Sequence, residues 1–117
     1  MKHQFELEHI GIFNENREEA LELANLLSGM LNLTPRHGQK SEFVGEYFEC
    51  MGGHGAGTHG HVAMRTADLD GAVEELKEKG FTFDMSTAAY TEDGHLKNIY
   101  LNGEYGGFAI HIMQKKQ

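Results

Sequence analysis

The chain has 117 residues, 39% of them hydrophobic, and a single cysteine, which suits one globular domain and leaves no internal disulfide. Its net charge of −8 comes from 18 acidic against 10 basic residues and argues against a nucleic-acid partner, which needs a basic surface. No segment reads as a membrane span or a secretory signal, so the sequence predicts a cytoplasmic protein with no membrane partner.

The first half of the chain predicts a strand followed by a helix. Residues 5–13 (FELEHIGIF) alternate, which puts His9 on the face opposite Ile10. Asn16 with Glu19 resembles a capping box at a helix start. The apolar residues that then recur at helical spacing are Ala20, Leu23, Leu27 and Leu31.

The middle of the chain predicts a strand, a linker and another strand. Residues 47–51 (YFECM) place Glu49 on one face, while Phe48 and Cys50 point to the other and are expected to be buried. Residues 52–60 (GGHGAGTHG) read as a flexible linker. A strand then starts with His61.

The second half repeats the pattern of the first. Setting His9 over His61 aligns HIGIFNENREEALE with HVAMRTADLDGAVE. Asp68 or Asp70 can cap the second helix. The polar residues 84–95 (DMSTAAYTEDGH) are interpreted as a loop that could cover a site. The turn at 103–107 (GEYGG) leads into a last strand, FAIHIM, which carries His111.

These correspondences predict an α+β fold of two βαβββ modules in a single domain, residues 1–117. Module one covers about residues 1–52 and module two about 60–117, joined by the linker at 52–60. The glycine-rich linker leaves two arrangements open, since the modules can pair within one chain or across two.

Four ligand-type residues occupy equivalent places in the repeat. They are His9, Glu49, His61 and His111. Each shares a strand with apolar residues of the opposite phase, so all could face one cavity. Three imidazoles and a carboxylate suit one divalent ion such as Ni, Co, Zn, Fe or Mn. A buried Glu49 without a cation would also be costly.

The four strands and the repeat resemble the vicinal oxygen chelate superfamily, which includes glyoxalase I, over essentially the whole chain. The matching stretches are HIGIF, YFEC, GHVAMRTADLDGAVEELKEKGF and GGFAIHIM. The resemblance implies an open U-shaped sheet around a metal held by the first and last strands of each module. Bacterial-type glyoxalase has a glutamate where this chain has His111, which weakens a glyoxalase assignment and leaves Glu49 as the candidate base.

A further similarity is to glyoxalase-like domains at the C-terminus of some bacterial 2-keto-3-deoxy-6-phosphogluconate and 4-hydroxy-2-oxoglutarate aldolases. FELEHIGI, LKNIYL and GGFAIHI carry it. This similarity points toward 2-oxo acids or sugar-acid phosphates as ligands. We expect a homodimer and, from the resemblance to the glyoxalase-like group, a lyase or isomerase that acts on a small oxo or hydroxy acid through a metal-chelated enediolate. The alternative is a non-catalytic metabolite- or metal-binding module associated with such an aldolase.

Other residues are weaker candidates. Arg65 shares the phase of His61 and could bind a carboxylate or phosphate, and Tyr47 shares the phase of Glu49 and could line the pocket. Tyr100 could line the pocket in the same way. The linker residues His54 and His59 are interpreted as solvated.

Overall fold

One eight-stranded sheet carries two helices in the computed structural model, which describes residues 2–116. The elements are β1 (Glu6–Phe13), α1 (Arg17–Leu31), β2 (Arg36–His37), β3 (Ser41–Val44), β4 (Phe48–Met51), β5 (Gly60–Thr66), α2 (Leu69–Glu78), β6 (Phe83–Tyr90), β7 (Leu96–Leu101) and β8 (Phe108–Gln114). The predicted α+β class is confirmed. Neither helix has the length and apolar character that a membrane span needs.

The two halves of the chain meet at the centre of the sheet. The strand order is β2-β3-β4-β1-β5-β8-β7-β6, and β1 pairs with β5 in antiparallel orientation. On either side of this pair, β4 runs parallel to β1 and β8 runs parallel to β5. The first and last strands of both halves are therefore the four central strands, and the halves join within one chain.

Both helices start at acidic or amide caps. Asn16 accepts a hydrogen bond from the backbone N–H of Glu19 at the start of α1, as predicted. Of the two candidates for α2, Asp68 is the cap and accepts from the backbone N–H of Gly71. Asp70 pairs with the ring of His95 instead.

Helix α1 packs through smaller residues than the sequence predicted. Its buried positions are Ala20, Ala24 and Ser28, and the two alanines pack against Val44 and Cys50 of the sheet. Leu31 is 49% exposed, so its place in the predicted packing stripe is wrong. Small side chains let the helix approach the sheet, and the predicted residues Leu23 and Leu27 are partly buried and pack against the same cluster.

Helix α2 covers the other end of the sheet with a larger core. Its buried residues Leu69, Val73 and Leu76 pack against Ile99 and Ile112 of β7 and β8. Both helices lie on the face to which the apolar strand residues point, which leaves the opposite face of the central strands for polar side chains.

The interpretation of residues 84–95 as a loop is wrong for most of that segment. Strand β6 extends from Phe83 to Tyr90 and pairs with β7, and only the turn that closes between Thr91 and His95 remains irregular. An edge strand has one solvated side and tolerates polar residues, so composition alone mimics a loop here.

Candidate metal centre

Two neighbouring rows of side chains cross the central strands on the face away from the helices. In the first row Gly11 of β1 is the register partner of both Glu49 of β4 and His61 of β5. A Cβ atom on Gly11 would lie 2.3 Å from Cε1 of His61. The missing side chain of Gly11 is therefore the space that the His61 imidazole occupies.

The second row lies beside the first and has the same alternation. Ala63 of β5 is the register partner of both His9 of β1 and His111 of β8. Ala63 is completely buried at this position. Glu49 and His61 thus flank Gly11, and His9 and His111 flank Ala63, in two neighbouring rows on the same face.

Three histidines form a group that could hold a metal ion. One ring nitrogen each from His9, His61 and His111 lies within 4.8 Å of the others, and Nε2 of His9 is 3.2 Å from Nε2 of His61. Glu49 lies beside this group, with Oε1 3.8 Å from Nε2 of His9 and 3.6 Å from Nε2 of His61. All four residues that the sequence singled out are brought together.

The ring of His111 is oriented by two neighbours on β7. Nδ1 of His111 is 2.6 Å from Oδ1 of Asn98, and because an amide oxygen only accepts, Nδ1 carries the proton. Tyr100 stacks on the other side, with ring centroids 4.4 Å apart and planes inclined by 11°. Nε2 of His111 therefore presents a lone pair to the group, and it is buried without a hydrogen-bond partner.

Glu49 is oriented from β3. The hydroxyl of Ser41 donates to Oε2 of Glu49 at 2.8 Å, which leaves Oε1 to face the histidines. The turn that precedes Ser41 is itself fixed by Arg17, whose guanidinium donates to the backbone oxygens of Gly38 and Gln39 at 2.6 and 2.8 Å. Positioning of the carboxylate thus starts at the first residue of α1.

A buried carboxylate anchors this arrangement. Glu42 is 1% exposed and pairs with Arg17, whose Nη2 is 2.5 Å from Oε2, and with the ring of His37. Burial alone would raise the pKa of Glu42, but the hydrogen bonds from Arg17 and His37 outweigh it and the pKa is lowered. Glu42 is therefore ionised and compensated by two neighbours.

His9, His111 and Glu49 have the protonation states that a metal ligand needs, with neutral imidazoles and an ionised carboxylate. Burial, reinforced by the nearby rings of His61 and His9, lowers the pKa of His111 to about 4. Burial is also the main cause that lowers the pKa of His9. Contact with the His61 ring and the hydrogen bond from Ser41 outweigh burial and lower the pKa of Glu49. At neutral pH His9 and His111 are neutral and Glu49 is ionised.

The two predicted substrate-binding residues lie elsewhere. The guanidinium of Arg65 is engaged by carboxylates of β1, at 3.5 Å from Glu6 and 3.3 Å from Glu8. Tyr47 is 44% exposed and immediately precedes β4. Alternation along β5 placed Arg65 on the face of His61, but it could not show that Glu6 and Glu8 engage its guanidinium.

The linker histidines are also outside the group. His54 has a side chain that is 63% exposed and packs edge-on against Phe13, at 5.6 Å between ring centroids. His59 contacts the ring of Phe108 at 6.2 Å. Within residues 2–116 the group of His9, His61 and His111 is the one in which three ligand-type side chains each place one ligand atom within 4.8 Å of the other two.

Sequence reasoning missed the residues that support the ligands. Asn98 shares a phase with Tyr100 in the run LKNIYL, so strand alternation could have placed it on the same face as His111. Ser41 had no comparable signal, because its contact with Glu49 depends on the register between β3 and β4. Gly11 and Ala63 became informative only once the neighbouring strands were known.

The comparison with known proteins shows a similarity of fold and no more than that. No family model and no curated protein matches the chain. The crystal structure of a hypothetical protein from Bacillus halodurans C-125 is similar, with a TM-score of 0.62 over 97% of this chain and 96% of that one. The sequence identity is 18%, so the likeness concerns the arrangement of helices and strands and carries no activity.

Proposed function

We propose that the protein binds a divalent metal ion and belongs to the vicinal oxygen chelate, or glyoxalase-like, superfamily. On this proposal each half is a βαβββ module, and the two modules form an open U-shaped sheet around the ion. The observed strand order supports the proposal, since the first and last strands of both halves are the four central ones. Those strands carry His9, Glu49, His61 and His111.

The observation that carries the metal assignment is the unpartnered Nε2 of His111. A buried polar atom without a partner is rare, because its desolvation is not compensated. The separation between Nε2 of His9 and Nε2 of His61 is 3.2 Å. Two nitrogens bound tetrahedrally at zinc-like distances lie about 3.3 Å apart, so the pair has the spacing of two ligands of one ion.

The ligand atoms limit which divalent ions suit the site, but they do not identify one ion. Imidazole ligands suit Zn, Ni, Co and Fe, and the Glu49 carboxylate extends the choice to Mn. Asn98 behind His111 and Ser41 behind Glu49 are the outer hydrogen-bond partners that metal ligands ordinarily have.

The activity that fits this site is a lyase or isomerase reaction on a small oxo or hydroxy acid. A divalent ion held there would supply Lewis-acid polarisation of two neighbouring substrate oxygens. Glu49 is ionised, and Ser41 holds its Oε2 so that Oε1 is the atom that accepts a proton from the carbon beside the carbonyl. His111 would not take that role, because its Nδ1 already carries a proton that it donates to Asn98 and the lone pair of its Nε2 would be bound to the ion.

The second candidate is a non-catalytic module that binds a metabolite or metal in association with a 2-oxo-acid aldolase. It is favoured by the closeness of Glu49 Oε1 to two imidazoles, since a fourth ligand leaves fewer open coordination positions. A Glu49→Gln variant separates the two. An enzyme loses turnover and still binds ligand, whereas a binding module shows ligand affinity and no turnover in either form.

Association into a homodimer is part of the proposal. Helix α1 exposes large apolar side chains on its outer surface, with Leu26 at 59% and Met30 at 76%. Apolar surface of this kind favours association with another protein surface. A mass consistent with one chain at micromolar concentration in light scattering would remove this part of the proposal and leave the metal site standing.

Elemental analysis of protein purified without a histidine tag or chelator tests the metal site. We expect about one equivalent of a divalent transition metal after loading, lost in His9→Ala and in His111→Ala. His95→Ala is the matched control, because it removes a histidine whose side chain is 68% exposed and lies outside the group. Wild-type protein that refuses Ni, Co, Zn, Fe and Mn would rule the site out.

A further inference from the structure

A cavity of about 470 Å³ adjoins the metal centre on the β7–β8 side. It lies next to His111, and its lining residues are Lys97, Asn98, His111, Met113, Gln114, Lys115 and Lys116. The wall nearest the centre is thus formed by His111 and Asn98, a candidate ligand and its hydrogen-bond partner. The far wall carries lysines.

The charge of this cavity is opposite to that of the protein. Three of the chain's 10 basic residues line it, and no acidic side chain does, although the net charge is −8. Lys115 is neutralised by Glu6, with Nζ 2.5 Å from Oε1. Lys97 has no carboxylate within 4.0 Å among residues 2–116, so it remains a cation available to a ligand.

The neighbouring charges compensate one another. Arg65 lies in the adjacent row, opposite Met113, and it is paired with Glu6 and Glu8. Glu6 is therefore shared between Arg65 and Lys115, whereas Glu8 pairs with Arg65. Glu6 and Glu8 lie on β1, whereas Lys97 lies on β7 and Lys116 follows the end of β8. Positive charge in the cavity is concentrated at the end of β8.

The register sets the distance between the metal centre and the basic end. Asn98 is the register partner of Met113, two residues beyond the pair of Tyr100 and His111. Two residues of strand correspond to about 7 Å, and Lys97 is the next residue beyond Asn98 in that direction.

We propose that this basic cavity binds a second anionic group of the ligand whose oxygens the metal centre chelates. The ligand class is a 2-oxo or 2-hydroxy acid with a second carboxylate or a phosphate at its far end. The inference rests on the proposed metal function. It assigns Lys97 and Lys116 as specificity residues, since the free energy of binding that they add depends on the terminal charge alone.

Matched ligands test the proposal by calorimetry with metal-loaded protein. 2-Oxoadipate and 2-oxohexanoate have the same carbon chain and differ in the terminal carboxylate, and 6-phosphogluconate and gluconate differ in a terminal phosphate. We expect the ligand with the extra anion to bind about tenfold more tightly in one pair or both, with the advantage reduced by salt. The pair that shows it identifies carboxylate or phosphate.

The double variant Lys97→Gln/Lys116→Gln should remove this advantage while leaving metal affinity and 2-oxohexanoate affinity unchanged. Lys77→Gln/Lys79→Gln is the matched control, because it makes the same charge change at the end of α2, outside the cavity. Equal affinities within both pairs, or an advantage that survives in the Lys97 and Lys116 variant, would overturn the proposal. Wild-type protein that binds no metal would overturn the proposed function, and this inference with it, in a separate measurement.

Discussion

Gly11 and His61 are register partners on neighbouring central strands, and the imidazole of His61 occupies the volume that a side chain on Gly11 would need. A Cβ atom at position 11 would lie 2.3, 2.6 and 2.7 Å from three atoms of that ring. The ring must therefore move if position 11 is anything but glycine. The close approach of His61 to His9 and Glu49 depends on this one missing atom.

Gly11→Ala should weaken metal binding by about 10- to 100-fold, the loss typical when a ligand is displaced from its orientation. The measurement is a competition titration with a chromophoric chelator. Gly29→Ala is the control, since a Cβ there meets nothing within 4 Å. Because Gly29 lies inside α1, its variant should gain about 0.5–1 kcal/mol of unfolding free energy and keep the metal affinity. Unchanged affinity in Gly11→Ala would contradict the space argument.

Asn98 should matter through His111. Asn98→Ala removes the acceptor that keeps the proton on Nδ1, and we expect about a tenfold or greater loss of metal affinity. Asn98→Asp keeps an acceptor and should restore binding. The tautomer of His111 can be read from nitrogen-15 shifts in the same samples. Equal affinities for the alanine and aspartate variants would argue that Asn98 only fills space.

Arg17 should contribute to stability through Glu42. Arg17→Ala leaves Glu42 buried with one partner fewer, and we expect a loss of about 2 kcal/mol in urea unfolding. The loss falls below the roughly 3–5 kcal/mol of wholly buried pairs because the Arg17 side chain is 42% exposed. Arg36→Ala, which removes a guanidinium lying 5.1 Å from the ring of Phe43, should cost about 1 kcal/mol or less.

A second change separates charge from packing at this position. If the cost of Arg17→Ala comes from the uncompensated carboxylate, Glu42→Gln should restore part of the lost unfolding free energy in the Arg17→Ala background. Additive losses in the double variant would instead assign the effect to the hydrogen bonds that Arg17 makes to the backbone of residues 38 and 39.

The N-terminal segment should add a pH-dependent contribution to stability. Nδ1 of His3 is 2.6 Å from Glu75 and Nε2 is 3.1 Å from Asp68. Hydrogen bonding to Glu75, followed by that to Asp68, raises the pKa of His3 above its ordinary value of 6.5. The protonated ring is therefore favoured by the folded state. Its stabilisation is complete below pH 6.5 and is lost as the pH rises through the higher folded pKa.

Urea unfolding of wild type and His3→Gln at about pH 6 and about pH 9 tests this sign. The wild type should exceed the variant by more at the lower pH. His54→Gln is the control, because His54 is largely exposed and lies 3.8 Å from its nearest carboxylate. A difference between wild type and His3→Gln that is the same at both pH values would contradict the raised pKa.

Much of this protein could be predicted from local patterns. Alternation placed His9, Glu49, His61 and His111 on the face away from the helices, because neighbouring residues of a strand point to opposite sides. Asn16 was identified as a helix cap by a pattern of a few adjacent residues. Polar composition misled the interpretation of residues 84–95, since an edge strand and a loop are solvated alike.

The sequence by itself determined which residues share a face, since that depends on backbone geometry within one element. Only the tertiary structure decided how the faces meet. The antiparallel register of β1 with β5 sets Gly11 beside His61 and Ala63 beside His9, and it joins the two halves within one chain. Pairings between residues about 50 positions apart depend on strand order and on packing across the whole sheet, and no local pattern encodes them.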